Sequence, residues 1–153
     1  MASRVGERIP ESKLIRMGEK GPEDVPTTEY FRGRRLVLFA VPGAFTPTCS
    51  ARHLPGYIES RDEILAKDVD AIACMAVNDV FVMHAWGKQA GAEGIDMLAD
   101  GNADFSTELG LDLDARDWGM GLRSQRFALV AGTTNRVTPS FAASAMTSSR
   151  CLS

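Results

Sequence analysis

The residues whose types and spacing suit chemistry fall in one stretch, Pro42-Gly43-Ala44-Phe45-Thr46-Pro47-Thr48-Cys49-Ser50. Thr46 is a good helix N-cap, and Pro47 takes the first helical position, where a missing N–H costs nothing. That order places the Cys49 thiol at N3, where a capping box would hold Glu or Gln. There the thiol faces the Thr46 hydroxyl and the free N–H groups of the first turn. Those donors, with roughly half a positive charge at the helix N-terminus, favour thiolate over thiol. A free cysteine of pKa about 8.5 is only a few per cent ionised at neutral pH, whereas thiols so placed fall to about 3.5–7.5. Local sequence therefore predicts a nucleophilic cysteine. The bland reading of a cysteine, a small buried apolar residue, suits Cys74, which sits mid-strand in the run Val69–Val77.

Elements of alternating type must hold this stretch in place. Val37–Val41 reads as a strand apolar on both faces, ended by the Pro42-Gly43 turn. The helix carrying Cys49 is expected to break at Pro55-Gly56 and resume through Tyr57, Ile58, Ile64 and Leu65. Val69–Val77 is a second buried strand, and Asn78-Asp79 caps a helix with Phe81, Val82, Ala85 and Trp86 at helical spacing, closed by Gly91 and Gly94. A short strand at Ile95–Ala99, a helix at Phe105–Leu109, a loop over 110–122 and a late strand at Arg126–Ala131 follow. After a turn at Gly132–Asn135 comes a short partner strand at Arg136–Thr138. Residues 1–35 read as a hairpin or an irregular lead-in. Alternating strands and helices indicate an α/β domain with a mainly parallel central sheet, whose function sits where strand ends meet helix N-termini. The domain is expected over residues 1–139, with a Ser/Ala-rich, poorly ordered tail over 140–153.

Composition narrows the class. With 153 residues, 44% of them apolar and 24% charged, the chain can bury the core of one globular domain. A net charge of −3 argues against a nucleic-acid surface, and the one tight basic cluster, Arg32-Gly33-Arg34-Arg35, reads as a solvated turn. No apolar run approaches a membrane span, and Met1–Arg8 lacks the apolar core of a secretory signal. Three cysteines, at 49, 74 and 151, with no Cys-x-x-Cys pair, suit free thiols in a reducing compartment, so the cytoplasm is the default location.

The same residues resemble the peroxiredoxins, and among them the peroxiredoxin-5-like (type II, redoxin) group of the thioredoxin-like superfamily. Pro42-x-x-x-Thr46-x-x-Cys49 matches the active-site motif of that family, and the likeness extends through His53–Tyr57, Val77–Val82, Trp86-Gly87 and Arg126–Val130. It implies a thioredoxin-like fold with a central mixed, mainly parallel sheet flanked by helices. The implied activity is a thiol-dependent peroxidase that reduces hydrogen peroxide and organic hydroperoxides through a cysteine sulfenic acid. No cofactor or metal is implied; glutathione/glutaredoxin or thioredoxin would recycle the enzyme, and a homodimer is expected. Residue by residue, Cys49 would be the peroxidatic cysteine, Thr46 would hydrogen-bond sulfur and peroxide, Pro42 would shield the pocket, and Arg126 would support the thiolate. Arg123, three residues earlier, is expected to face solvent.

The C-terminus departs from the family. Thr138–Ser153 lacks the acidic stretch and closing amphipathic helix that the resemblance calls for, which would leave part of one sheet face uncovered. Cys151 lies where some relatives carry a resolving cysteine, but in a different context, and both a resolving and an incidental role stand open. Cys49 and His53 share a helix face, yet nothing nearby completes a metal site. Gly119-Met120-Gly121 is only a fragment of a glycine-rich loop. A competing function is a redox-sensing or chaperone-like interaction protein that keeps a reactive Cys49 without efficient turnover. A thioredoxin-type reductase is disfavoured by the missing Cys-x-x-Cys.

Overall fold

The computed structural model describes residues 6–47, 54–133 and 136–138. Cys49, His53, Cys151 and the tail from residue 140 lie outside the described residues.

The organising element is strand β3 (Leu36–Val41), in which all six residues are buried. It pairs in parallel with β4 (Ala71–Ala76) and antiparallel with β8 (Phe127–Ala131). Beyond β4 lies β5 (Ile95–Ala99), also parallel. A hairpin, β1 (Lys13–Gly18) and β2 (Gly21–Pro26), completes that side, and β9 (Val137–Thr138) pairs with β8 on the other. Among the described residues the strand order is β2-β1-β5-β4-β3-β8-β9. The sheet is mixed as expected, but its parallel part is confined to β3, β4 and β5. β1–β2 and β8–β9 are hairpins and therefore antiparallel, and β1 and β8 also run antiparallel to their neighbours β5 and β3.

Because side chains alternate across a strand, β3 feeds two cores. Val37, Phe39 and Val41 face α2 (Leu54–Glu59), α3 (Arg61–Leu65) and α4 (Val80–Ala90), packing with Leu54, Tyr57, Met83 and Trp86. Leu36, Leu38 and Ala40 face Phe31, Phe105, Leu109 and Phe127 on the other side. The Phe39 and Tyr57 rings stack with centroids 3.8 Å apart and planes 4° apart. Each large apolar side chain so buried contributes about 1.5–3 kcal/mol.

In the lead-in hairpin a two-residue turn, Glu19-Lys20, joins Gly18 to Gly21, and Pro22 and Pro26 of β2 lie opposite Met17 and Lys13. Helix α1 (Thr27–Tyr30) follows, with the Thr27 hydroxyl accepting from Ser12 N at 2.8 Å and donating to the Pro10 carbonyl at 2.7 Å. The Asp79 cap on α4 is present: its carboxylate accepts from Val82 N at 2.8 Å, and Gly91, with φ 71°, ends the helix.

Two readings need correction. The chain is helical through Pro55-Gly56, and the break falls at Ser60 (φ −90°, ψ 2°). The φ that proline fixes is itself helical and its cost falls on the preceding turn, so the residues after it stay in register. The expected loop over 110–122 holds a two-stranded ribbon, β6 (Asp112–Asp114) with β7 (Leu122–Ser124), and a 3₁₀ turn at Arg116–Trp118. Ala115 N donates to the Gly121 carbonyl at 2.7 Å and Met120 N to the Ala115 carbonyl at 3.1 Å, while Gly119 and Gly121 take φ of 72° and 69°. Left-handed glycines allow the chain to fold back this sharply.

Asp100 fixes helix α5 (Asp104–Glu108). It is 2% exposed, and its carboxylate accepts from Phe105 N at 3.1 Å, from Ser106 N at 2.9 Å and from the Ser106 hydroxyl at 2.7 Å. Removing it strands three buried donors, and each such loss costs about 1–3 kcal/mol. Asp100→Ala is therefore expected to destabilise the fold by about 3 kcal/mol or more, lowering the thermal midpoint by roughly 6–12 °C in calorimetry.

Candidate active site

The site assembles at the C-terminal end of β3. Pro42 and Gly43 are buried directly after the strand, Thr46 is half-buried and Phe45 is 46% exposed. Phe45 has φ 64°, a left-handed conformation uncommon for a bulky residue, so the turn stores strain that its surroundings must hold. Three contacts do so. Ala44 N donates to Asn78 Oδ1 at 2.9 Å, tying the loop to the end of β4. The Phe45 ring lies 6.4 Å from the Trp86 ring of α4. The Thr46 hydroxyl donates to the Gly43 carbonyl at 2.8 Å, closing the turn on itself. With its proton committed to a carbonyl, that hydroxyl presents lone pairs to other partners.

Arg126 reaches the same corner through the sheet. The β3–β8 register ends with Ala40 opposite Phe127, so Arg126, one residue earlier, stands beside the end of β3. Phe127 points into the core with Leu38 and Ala40, and alternation turns Arg126 to the opposite face, where Val41, Leu54 and Tyr57 pack. Arg126 is 8% exposed. Its Nε and Nη2 atoms are buried with no hydrogen-bond partner among the described residues. Burial pushes its guanidinium below the ordinary arginine value, although it remains a cation. A desolvated cation with two unused donors demands an anion or a strong acceptor.

The structure overturns the solvent-facing reading of Arg123. This residue is half-buried on β7, and its Nε donates to the Met120 carbonyl at 2.7 Å. A carbon added at Gly43 would stand 3.2 Å from Arg123 Nη1, 3.3 Å from Met120 Cε and 3.1 Å from Thr46 Cγ2. Glycine at 43 thus lets the ribbon press onto the active-site loop. Sequence reasoning missed this because the ribbon was read as loop, and strand alternation from Arg126 does not carry across Gln125. The position of Gly43 in a tight turn was the available signal.

The described residues bring Pro42, Thr46 and Arg126 to one corner of the sheet, while Cys49 and Cys151 fall outside them. Cys74 lies fully buried in β4, in register with Phe39 and Met97, away from this corner. Burial pushes its thiol well up, so it stays protonated and inert.

Comparison with known proteins agrees with this geometry. The redoxin family model matches residues 4–144. A chloroplastic peroxiredoxin-2E-2 from Oryza sativa subsp. japonica is 48% identical over 133 residues, covering 83% of this chain and 59% of that protein. Peroxiredoxin-2D from Arabidopsis thaliana is 42% identical over 128 residues, covering 82% and 79%. The chain belongs to the peroxiredoxins. Reduced Prx3 from Vibrio vulnificus, in complex with hydrogen peroxide, superposes with a TM-score of 0.85 at 48% identity, covering 90% of each chain. The fold is accordingly the thioredoxin-like α/β arrangement of peroxiredoxins. The chain spans about three-fifths of the length of the first chloroplastic relative.

Two measurements follow from this peroxiredoxin's loop and core. Asn78→Ala leaves the Ala44 amide without its acceptor, at about 1–2 kcal/mol. Its hydrogen exchange should therefore accelerate roughly tenfold. Iodoacetamide at neutral pH should leave Cys74 unmodified in the native protein and label it in strong denaturant, as read from the mass of its peptide.

Proposed function

We propose that the chain is a thiol-dependent peroxidase in which Cys49 reduces hydrogen peroxide and organic hydroperoxides. The observation that carries this reading is Arg126: a buried guanidinium at the mouth of β3, beside the Pro42–Thr46 loop, with Nε and Nη2 unpartnered among the described residues. The relatives' names and the peroxide-bound Vibrio vulnificus protein support the substrate class.

In this reading the Cys49 thiolate attacks one peroxide oxygen and the O–O bond breaks. The departing oxygen takes a proton and leaves as water or alcohol, and sulfur is left as a sulfenic acid. Negative charge moves from sulfur toward the leaving oxygen, so fixed donors aimed along that path stabilise the transition state more than the ground state. Arg126 supplies such donors. Thr46, its proton held by the Gly43 carbonyl, accepts from the peroxide O–H and so orients the substrate. Pro42, buried at the end of β3, keeps water from the sulfur. A reducing thiol, from glutathione/glutaredoxin or thioredoxin, then attacks the sulfenic sulfur and releases water as a mixed disulfide forms. A second thiol exchanges with that disulfide and frees Cys49. Cys151 is the candidate where an intramolecular thiol does the first of these steps. Exposed Phe45, Phe81 and Trp118 offer apolar surface for the homodimer that the family likeness implies.

Stopped-flow fluorescence of the reduced protein mixed with hydrogen peroxide tests the reading. A fast, peroxide-dependent phase is expected that vanishes in Cys49→Ser and slows by about 10²–10³ in Arg126→Gln, the usual loss for one preorganised donor group. A wild-type rate no greater than that of free cysteine would overturn it.

A further inference from the structure

Besides Arg126, a second cation, Arg123, lies against the Pro42–Thr46 loop. Four observations define its place. Its side chain cannot swing freely, because Nε is bonded to the Met120 carbonyl at 2.7 Å. Its Nη1 covers Gly43 so closely that a side-chain carbon there would stand 3.2 Å away. The carbonyl of that glycine accepts the Thr46 hydroxyl at 2.8 Å. No carboxylate among the described residues pairs with Arg123, although burial disfavours its charge. A half-buried, uncompensated guanidinium is a costly choice for a surface strand, and a neutral side chain of similar length would pack there more cheaply.

The support beneath Arg123 is rigid. β7 is paired to β6, with Leu113 opposite Arg123, and the Ala115–Gly121 hydrogen bond closes the ribbon's end. The chain of contacts therefore runs from the ribbon through the planar guanidinium to Gly43, and from Gly43 to Thr46. We propose that Arg123 is a positioning residue of the active site: clamped on the Met120 carbonyl, it holds Gly43 and thereby fixes the Thr46 hydroxyl that orients the peroxide. This rests on the peroxidase reading of Cys49. Arginine is required for its shape as well as its charge. A flat fork can donate from Nε to Met120 while lying over Gly43 with Nη1, which the point charge of lysine cannot do.

The test uses the full chain and compares wild type, Arg123→Lys, Arg123→Met, Thr46→Val and the Arg123→Met/Thr46→Val double variant. Three quantities are read: the second-order rate with hydrogen peroxide, the pH midpoint of Cys49 alkylation followed on its peptide by mass, and the thermal midpoint. Both Arg123 variants should react about 10- to 100-fold more slowly, the scale expected when a reacting group is misplaced by a fraction of an ångström to one ångström. Their alkylation midpoint should move upward, because a loosened Gly43–Thr46 turn holds the first-turn N–H donors less firmly toward the thiolate, while the thermal midpoint shows that the fold persists. Thr46→Val should cost far less in the Arg123→Met background than in wild type, since the two act through one contact. Wild-type rates and midpoints in Arg123→Met, full recovery by Lys, or losses that simply multiply would each overturn the proposal. If wild type shows no Cys49-dependent peroxide phase, the peroxidase reading fails. The alkylation midpoints and their non-additivity then still decide the role of Arg123.

Discussion

The register of β3 is the constraint on which the remaining structure depends. One fully buried strand is paired in parallel on one side and antiparallel on the other, and both partners deliver a residue to its C-terminal end. The parallel partner, β4, runs on into Asn78, which holds Ala44. The antiparallel partner, β8, begins just after Arg126. A slip of one residue in either pairing would turn every side chain of a strand to the other face and exchange the two cores. The hydrophobic energy that fixes the register therefore also places the site. No loop flexibility is needed to bring the partners together.

The corner itself is held against its own preferences. Phe45 sits at φ 64°, and among the described residues Arg126 has buried donors without acceptors and Arg123 is half-buried without a counter-ion. Each is unfavourable alone, by about 1–3 kcal/mol for the backbone strain and by comparable amounts for stranded donors. They persist because two packed cores and the Asn78, Trp86 and Met120 contacts over-determine the loop. Positive charge kept dry and ready needs no reorganisation when a negative charge develops beside it, which is the condition for electrostatic catalysis.

Much of this was legible from residue patterns. Apolar runs placed β3, β4, β5 and β8, and the Asp79 cap and Gly91 stop bounded α4, because burial and capping act locally and leave strong marks. Thr46, Pro42 and Arg126 were legible as a group through the motif and its family likeness, while local sequence alone spoke for Cys49. What escaped notice depends on short closures that no residue pattern marks. The β6–β7 ribbon has only three residues on each strand, among acids and glycines, and exists because Ala115 meets Gly121. Arg123 turns inward for the same reason. Asp100 sits before Gly101-Asn102 and looks like an ordinary turn residue; its carboxylate reaches five and six residues on, to Phe105 and Ser106, beyond the spacing of an ordinary N-cap.

The outer rim of β2 carries a consequence for association. Pro22 and Pro26 both lack an N–H and share a parity with Asp24 along the strand. The Gly18–Gly21 pair closes the hairpin turn, which directs the backbone groups of residues 22, 24 and 26 away from β1. Asp24 is then the single outward amide donor of β2 along that rim, and the solvated ion pairs Lys13–Asp24 and Arg16–Glu23 disfavour an approaching strand. Aggregation by edge-to-edge pairing is thus blocked at β2. Among the described residues the opposite rim, at β9, is met at Arg136 by an antiparallel bridge from Arg8, so the N-terminal segment shields that end of the sheet as the prolines shield this one.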